Sequence, residues 1–291
     1  MSLAAAPPAG AGTRPALLTG LAVTGAVHRT FGTGTTPLGQ EAERRFFPSH
    51  TGHAGVVLRE ELLDTAVGNT FEDMGAELLA ALGEQPETDL VVLAYSTPDF
   101  LPTVLTAPTL AERLPGRPLL LAVSDQGPTG PFSALALARS YARRHGFRRV
   151  LVMAFDQHVV PYDVPGSGPR GLAGDGAVAL VLEASEDNCR VRQVCGLDPR
   201  EAPGQVAALI RELDPEGTAE VVAGPGVDPA WELPVSRGPV RRAPAGYPCT
   251  SVLGAFAERL PAAGGSPTLL VEYDPVLGDL SVCRVDPAAA A

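Results

Sequence analysis

Uninterrupted apolar runs alternate with helical periodicity through the middle of the chain. Helical spacing of apolar residues is found at 70–84, 108–116 and 132–146. Strands that read as continuous apolar runs are typical of a sheet that is covered on both faces. We therefore predict an α/β fold with mostly parallel central strands. The predicted strands of this region are 89–95, 118–123, 149–155 and 176–183.

The rest of the chain shows the same alternation of strands and helices, with fewer helices. Helices are predicted at 203–213 and 250–260, and a proline-rich irregular stretch at 225–248. The similar element order predicts two duplicated halves, an N-terminal half at 15–184 and a reduced C-terminal half at 185–287. The predicted strands of this second part are 190–196, 219–224, 268–274 and 279–285.

The N-terminal region is harder to interpret. Residues 1–14 are predicted to be a disordered lead, and 16–27 a first core strand. This apolar run is too short to span a bilayer as a helix. Residues 28–60 hold little periodicity.

Charge and cysteine usage exclude several classes of partner and site. The net charge is −11 and the chain contains no lysine, which argues against nucleic acid and anionic membranes as partners. The four cysteines lack CxxC spacing and the histidines lack ligand spacing, so we expect no metal site and no cofactor. The cysteines are interpreted as reduced thiols of a cytoplasmic protein. These residues are Cys189, Cys195, Cys249 and Cys283, with His28, His50 and His53 as the histidines nearest the N-terminus.

A strand that turns sharply into a helix is a common place for a nucleophile. Here the segment SDQGPTGP at 124–131 joins the strand at 118–123 to the helix at 132–146. The turn offers only Pro128 and Thr129 at its centre. Proline has neither a nucleophilic atom nor an amide proton.

Three strings together resemble the ketoacyl-ACP synthase III branch of the thiolase-like condensing enzymes. They are DLVVLAYSTPDFLP at 89–102, FRRVLVMAFD at 147–156 and GLAGDGAVALVLE at 171–183. The resemblance covers about residues 16–285 and is strongest over 89–183. It implies a five-layered α-β-α-β-α fold with two pseudo-duplicated halves, the second reduced. It also implies a dimer, because family members pair through the strand that precedes the nucleophile helix.

The family's catalytic residues are a Cys, a His and an Asn. The Cys sits at a helix N-terminus, where its pKa is lowered, and attacks an acyl thioester. The His and Asn stabilise the enolate formed when malonyl-ACP loses carbon dioxide.

Each catalytic position of the family is changed in this sequence. The Cys position falls on Pro128, and the His position falls on or near Pro225; no His follows His158. The Asn position falls on Cys249 in the string CTSV. The family's last glycine-rich loop is replaced by EYDPVLG at 272–278. The resemblance therefore implies that the condensing triad is absent.

Shortened length and a lost triad are also features of the small non-catalytic subunit of the alkylquinolone-forming condensing enzyme, which this chain resembles. The leading hypothesis is a degenerate subunit that dimerises with an active condensing enzyme or acyltransferase. The alternatives are a stand-alone acyltransferase that acts on acyl-CoA or acyl-ACP, and a thioester-binding module with neither activity. The predicted partners are a ketosynthase-III-like protein, as homodimer or heterodimer, and an acyl-CoA or acyl carrier protein.

Two interpretations stay open for each candidate residue. Thr129 is a weak nucleophile or a helix-cap hydroxyl. Cys249 is a thiol activated at a helix N-terminus or a small residue that fills the space of the lost Asn. Asp125 is a base or a turn residue, and His158 reaches the pocket or dimer interface or lies in a surface loop. The string Gly174, Asp175, Gly176 is interpreted as a structural turn close to the nucleophile loop.

Overall fold

Two five-stranded sheets form the framework of the protein. The computed structural model describes residues 20–102, 105–163, 172–185, 189–235, 238–260 and 266–286. In spatial order, the first sheet contains β1 (Gly20–Phe31), β7 (Asp175–Ser185), β6 (Arg149–Asp156), β4 (Leu90–Tyr95) and β5 (Leu119–Val123). The second contains β10 (Arg241–Arg242), β9 (Glu220–Ala223), β11 (Thr268–Asp274), β12 (Asp279–Val285) and β8 (Cys189–Val194). A separate two-stranded sheet pairs β2 (Thr36–Pro37) with β3 (Val67–Gly68).

The two large sheets repeat one topology. When the strands of each sheet are numbered along the chain, both sheets follow the order 1-5-4-2-3. The pairing directions also agree, with the first two pairings antiparallel and the last two parallel. The predicted duplication is therefore confirmed. The sheets are evenly mixed rather than mostly parallel, because the fifth strand of each half runs antiparallel to both of its neighbours.

Helices cover the outer faces of both sheets and fill the space between them. Helices α3 (Phe71–Leu82) and α4 (Thr106–Ala111) pack on the outer face of the first sheet. Helix α5 (Gly130–His145) and helix α7 (Ser251–Ala257) lie between the sheets. Helix α6 (Ala202–Leu213) covers the outer face of the second sheet. This arrangement confirms the predicted five α-β-α-β-α layers.

The shared middle layer holds the largest apolar core. Phe132 of α5 and Phe256 of α7 are both buried in it, together with strand residues of both sheets. Fully burying an aromatic side chain of this kind stabilises a fold by about 1.5–3 kcal/mol. The core therefore ties the two halves to each other through their central helices.

Three of the described elements, α1, α2 and β10, lie where no regular structure was predicted. Helix α1 (Glu41–Ala54) and helix α2 (Glu60–Thr65) lie in or beside the stretch that shows little periodicity. Phe47 of α1 is buried in a small cluster with Phe100 and Tyr162, so long-range packing rather than local pattern holds this helix. Strand β10 lies inside the stretch predicted to be irregular and pairs with β9. The predicted lead at 1–14 lies outside the described residues.

Candidate functional site

A cavity of about 400 Å³ opens beyond the carboxyl ends of β4, β5 and β6. In α/β sheets, ligands bind at this end of parallel strands. A larger but shallower cleft of about 560 Å³ lies beside α3, away from every position singled out by the sequence. The cavity lining includes His50, Ser96, Thr97, Asp125, Pro128, Asp156, Gln157, Tyr162, Pro248, Asp274, Val276 and Leu277.

The turn between β5 and α5 contributes Pro128 to the cavity wall. Pro128 lies in a single 3-10 turn, Gly127–Thr129, that leads directly into α5. Asp125 has φ 59°, the one positive φ of a described residue other than glycine, and Gly127 has φ 49°. These two left-handed residues make the turn sharp. The turn therefore brings to the cavity a residue that cannot act as a nucleophile.

Cys249 lies directly behind this turn. Its Sγ is 3.1 Å from Ser96 Oγ and 3.7 Å from the carbonyl oxygen of Gly127. The predicted Cys and Asn positions of the family, Pro128 and Cys249, are thus neighbours. Burial, and then the charge of Asp156, raise the pKa of the Cys249 thiol well above its usual value.

The first of the two interpretations of Cys249, a thiol whose pKa is lowered at a helix N-terminus, does not agree with this raised pKa. Helix α7 has only seven residues and begins at Ser251. The carboxylate of Asp156 already accepts the amide protons of Cys249 and Thr250, at 3.0 and 2.8 Å. This carboxylate places negative charge beside the sulfur and disfavours the thiolate. Cys249 therefore fits the second interpretation, a buried residue that fills space.

Two fully buried carboxyl groups stand beside the site. Asp156 also accepts the hydroxyl of Thr250, and burial raises its pKa to about 6. Glu272 on β11 accepts the amides of Tyr273 and Gly226, and burial raises its pKa to about 8. Its second oxygen, Oε2, has no hydrogen-bond partner among the described residues. Sequence reasoning marked 272–278 as unusual but did not single out this buried acid.

Pro225, the predicted His position, is not brought to the cavity. It lies on an exposed turn after β9 and is not among the residues that line the cavity. Glu272 takes up the space beside this turn, because a Cβ at Gly224 would lie 1.8 Å from Glu272 Oε2. The structure thus brings together two of the three positions that the resemblance predicts to be degenerate, Pro128 and Cys249.

The other two candidates have structural partners. The buried hydroxyl of Thr129 donates to the carbonyl of Gln126 at 2.9 Å and forms no cap bond to α5. His158 donates from Nδ1 to Asp175 Oδ1 at 2.7 Å, a bond that raises the pKa of the imidazole above its usual value. His158 does not line the cavity.

The string Gly174, Asp175, Gly176 packs against the segment before α7, whereas the sequence predicted a turn close to the nucleophile loop. Asp175 is fully buried and also accepts the side-chain amide of Asn69. A Cβ at Gly176 would lie 2.8 Å from Thr250 Oγ1, so the glycine permits close approach to the segment before α7 rather than to the nucleophile loop. Neither glycine has a positive φ, and close packing, not turn geometry, requires them.

Several cavity residues were not identified as site residues by the sequence, among them three that are buried. Tyr162 and Thr97 are each 7% exposed, and Asp274 is 6% exposed. Thr97 belongs to the string at 89–102, but nothing in that string indicates that its side chain lines a cavity. Of the three N-terminal histidines, His50 lines the cavity, whereas His28 lies 3.4 Å from Glu258 and His53 is exposed.

The same described ranges bear on the expectations about metals and membranes. There, no three His, Cys, Asp or Glu side chains converge in a way that could hold a metal ion. No helix in those ranges combines the length and apolar character needed to cross a membrane.

In comparisons with known proteins, sequence matches cover less than half of the chain, whereas structural matches cover almost all of it. A ketoacyl-ACP synthase III of Synechococcus sp. (strain WH7803) is 32% identical over 131 residues, which are 45% of this chain and 38% of that protein. The match thus spans well under half of the relative's length. No protein-family model matches the chain.

Solved structures match across almost the whole chain. The acyltransferase ChlB3 superposes with a TM-score of 0.63 at 19% identity, over 93% of this chain and 98% of that one. The ketoacyl-ACP synthase III of Aquifex aeolicus VF5 gives a TM-score of 0.59 at 17% identity, over 92% and 100%. At such identities the likeness concerns the fold. The chain therefore has the thiolase-like fold of the ketoacyl-ACP synthase III proteins.

Proposed function

We propose that the chain is a catalytically degenerate ketosynthase-III-like subunit. It pairs with an active condensing enzyme or acyltransferase in polyketide or fatty-acid-like specialised metabolism and supports that partner. The observation that carries the proposal is Pro128 at the strand-to-helix turn that lines the cavity. The nearest thiol, Cys249, is buried and its pKa is raised, so it is a poor substitute nucleophile.

The edge of the first sheet supports the pairing. Strand β5 is an outermost strand, and its sequence is LLLAV. Leu119 is 42% exposed and Ala122 is also exposed. An apolar edge strand without a neighbour is a ready template for pairing with another chain. The same strand is the one through which the resembled family dimerises.

The alternative is a stand-alone acyltransferase, and the retained cavity favours it. A cavity of about 400 Å³ lies within the range of about 300–1,000 Å³ for small-molecule sites. ChlB3, which shares the fold, is an acyltransferase by name. In this version Cys249, Thr129 or orientation alone would act on an acyl thioester.

Intact-protein mass spectrometry after incubation with a panel of acyl-CoA thioesters separates these two functions. A Cys195→Ser background is used, because Cys195 is exposed and would react without specificity. We expect no stoichiometric adduct on this protein. A matched Pro128→Cys variant places a thiol at the turn before α5, and we expect it to be acylated.

An adduct on Cys249 or Thr129 would overturn the proposal and establish the acyltransferase. Absence of an adduct on both proteins would show that the cavity does not position thioesters. The pairing is then tested by itself, through co-purification with a co-expressed ketosynthase-III-like protein.

A further inference from the structure

Two of the four cysteines are in direct contact through their sulfur atoms. Cys189 is the first residue of β8, and Cys283 lies on the neighbouring strand β12. The two Sγ atoms are 3.7 Å apart, and the residues are 2% and 0% exposed. Cys283 is opposite Val191 in the antiparallel register, so Cys189 is its diagonal neighbour on the same face of the sheet. The pair therefore lies in the apolar core between the two sheets.

The position of β8 gives this pair a route to solvent. Strand β8 is an outermost strand of the second sheet, and among the described strands it pairs with β12 alone. Cys189 is the only buried residue of β8. Local opening costs least where an element has few buried contacts, so β8 can separate from β12 while the rest of the core stays folded. A small reagent can therefore reach the Cys189 thiol when this edge opens.

The surroundings of Cys283 make the pair slow to react while β8 is closed. The hydrogen bond with Cys189, and then burial, raise the pKa of the Cys283 thiol well above its usual value. The thiolate is the form that attacks a disulfide, so the closed pair is protected. The positive charges of Arg139 and Arg190 act in the opposite direction. They favour the thiolate once water enters and the penalty of burial is lifted.

We propose that Cys189 and Cys283 are a reversible dithiol–disulfide pair, which a small disulfide such as oxidised glutathione converts into a cross-link between β8 and β12. Strand β8 is the first strand after β7, the last strand of the N-terminal half. The cross-link therefore fixes the junction of the two halves to the sheet of the second half. This inference is independent of the proposed function and adds a redox-sensitive device to the fold.

The reaction consists of two successive thiol–disulfide exchanges. The Cys189 thiolate attacks one sulfur of oxidised glutathione, which forms a mixed disulfide and releases one glutathione thiolate. The Cys283 thiolate then attacks the Cys189 sulfur, which forms the cross-link and releases the second glutathione. The two cysteines lose two protons and two electrons, and oxidised glutathione is reduced to two thiols. The sulfurs approach from 3.7 Å to about 2.05 Å, which requires side-chain rotation and a shift of the edge strand.

The test counts free thiols in the folded protein at equilibrium with glutathione. A Cys195→Ser background is used, because Cys195 is exposed and would form mixed disulfides. After acid quenching and alkylation with N-ethylmaleimide in denaturant, intact-protein mass spectrometry should show three adducts in excess reduced glutathione. In excess oxidised glutathione we expect one adduct. Peptide mapping without reduction should place the cross-link between Cys189 and Cys283, and excess reduced glutathione should restore three adducts.

Matched variants identify the cysteines of the cross-link. Cys189→Ser and Cys283→Ser should each abolish it and leave at most a mixed disulfide with glutathione. Cys249→Ala, a change at the remaining cysteine, should preserve the cross-link.

Thermal unfolding of the same protein in its two redox states does not depend on whether the variants fold. The cross-linked form should have a Tm about 5–10 °C above that of the reduced form, because the bond joins residues 94 positions apart in the chain.

Three free thiols in excess oxidised glutathione would overturn the inference. So would mixed disulfides without a cross-link, a cross-link that forms only in denaturant, or one that includes Cys249. An unchanged Tm in the cross-linked form would show that the bond does not fix β8 to the second sheet. None of these results bears on acylation or on pairing through β5, so failure of the inference is distinguishable from failure of the proposed function.

Discussion

The two halves of the molecule share one strand order but differ in completeness. Helix α5 has 16 residues, and its counterpart between the sheets, α7, has seven. The outer strand of the first sheet, β5, has five apolar residues, whereas that of the second, β10, consists of two arginines. Strand order therefore persists where helix length and edge chemistry have changed.

The comparison of the two halves also distinguishes the side chains required for core packing from those required for a catalytic site. The middle layer needs an apolar side chain from each half, and Phe132 and Phe256 supply it. The resemblance predicts the family's His and Asn positions at Pro225 and Cys249, both in the reduced half. A change of side chain at these two positions is compatible with the packing, because Pro225 is exposed and Cys249 is a small residue at the edge of a core that larger side chains fill.

The largest effect is expected from truncating the core of the reduced half. Phe256→Ala should lower the free energy of unfolding by about 3–5 kcal/mol, as large aromatic truncations in cores do. Phe132→Ala should cost a similar amount, because both rings are buried in the same cluster. Urea denaturation of the two variants measures both values. A cost below about 1 kcal/mol for Phe256→Ala would mean that α7 is a dispensable remnant.

The second-largest effect is expected from placing charges on the edge strand β5, compared with a change on the other edge strand, β10. Leu119→Lys with Ala122→Lys should weaken self-association or partner binding by about 100-fold, because charges on an edge strand block further pairing. Both side chains are exposed, so folding should be preserved. Arg241→Ala on β10 is the matched change on the other edge. Sedimentation velocity would contradict the comparison if both edges responded equally.

A smaller effect concerns the buried acid of the reduced half. The pKa of Glu272 is raised to about 8 from a usual value of 4.5, so the folded protein binds this proton more tightly than the unfolded chain does. Stability should therefore fall as the pH rises from 4.5 to about 8, and level off above it.

Glu272→Gln removes this titration and should stabilise the protein by about 1–2 kcal/mol at pH 9 relative to the parent, since a buried charge is avoided. Thermal unfolding at pH 5 and pH 9 measures the difference. A parent and variant with parallel pH profiles would show that Glu272 keeps an ordinary pKa.

The smallest effect belongs to the first half. Hydrogen bonding to Asp175 raises the pKa of His158 above 6.5, so its stabilising contribution is complete below 6.5 and is lost as the pH rises through the folded value. The side chain is 38% exposed, and solvent screening limits the effect of His158→Gln to less than about 1 kcal/mol. The loss should be greater at pH 5.5 than at pH 9. The opposite order, measured by urea titration, would contradict the ion pair.

The strands were the easiest part of the fold to predict. Strands β4 and β6 are covered on both faces, and their sequences are accordingly continuous apolar runs. Helix α1 was not predicted, because Pro48 and several charged residues interrupt its pattern and Phe47 is held by distant residues. Strand β10 carries no strand signal of its own, since only pairing with β9 makes two arginines a strand.

The site was predictable only where the resemblance reached it. That resemblance placed Pro128 and Cys249 in one site, and in the structure the Cys249 thiol lies 3.7 Å from the carbonyl oxygen of Gly127, the residue before Pro128. Tyr162 lies in a loop without periodicity, and its ring contacts with Phe47 and His50 of α1 depend on the folding of the intervening segments. The raised pKa of Glu272 was likewise not predictable from the sequence, because the burial that causes it depends on the whole fold.

The open edge of β5 has a consequence for how the assembled protein would be made in the cell. If β5 pairs with β5 of a second copy of the chain about a two-fold axis, the assembly is a dimer and cannot extend further. The same strand would accept a related ketosynthase-like chain, so homodimer and heterodimer would compete for one surface. The fraction of partner chains that form heterodimers would then depend on the relative rates at which the two chains are synthesised, rather than on any change in structure.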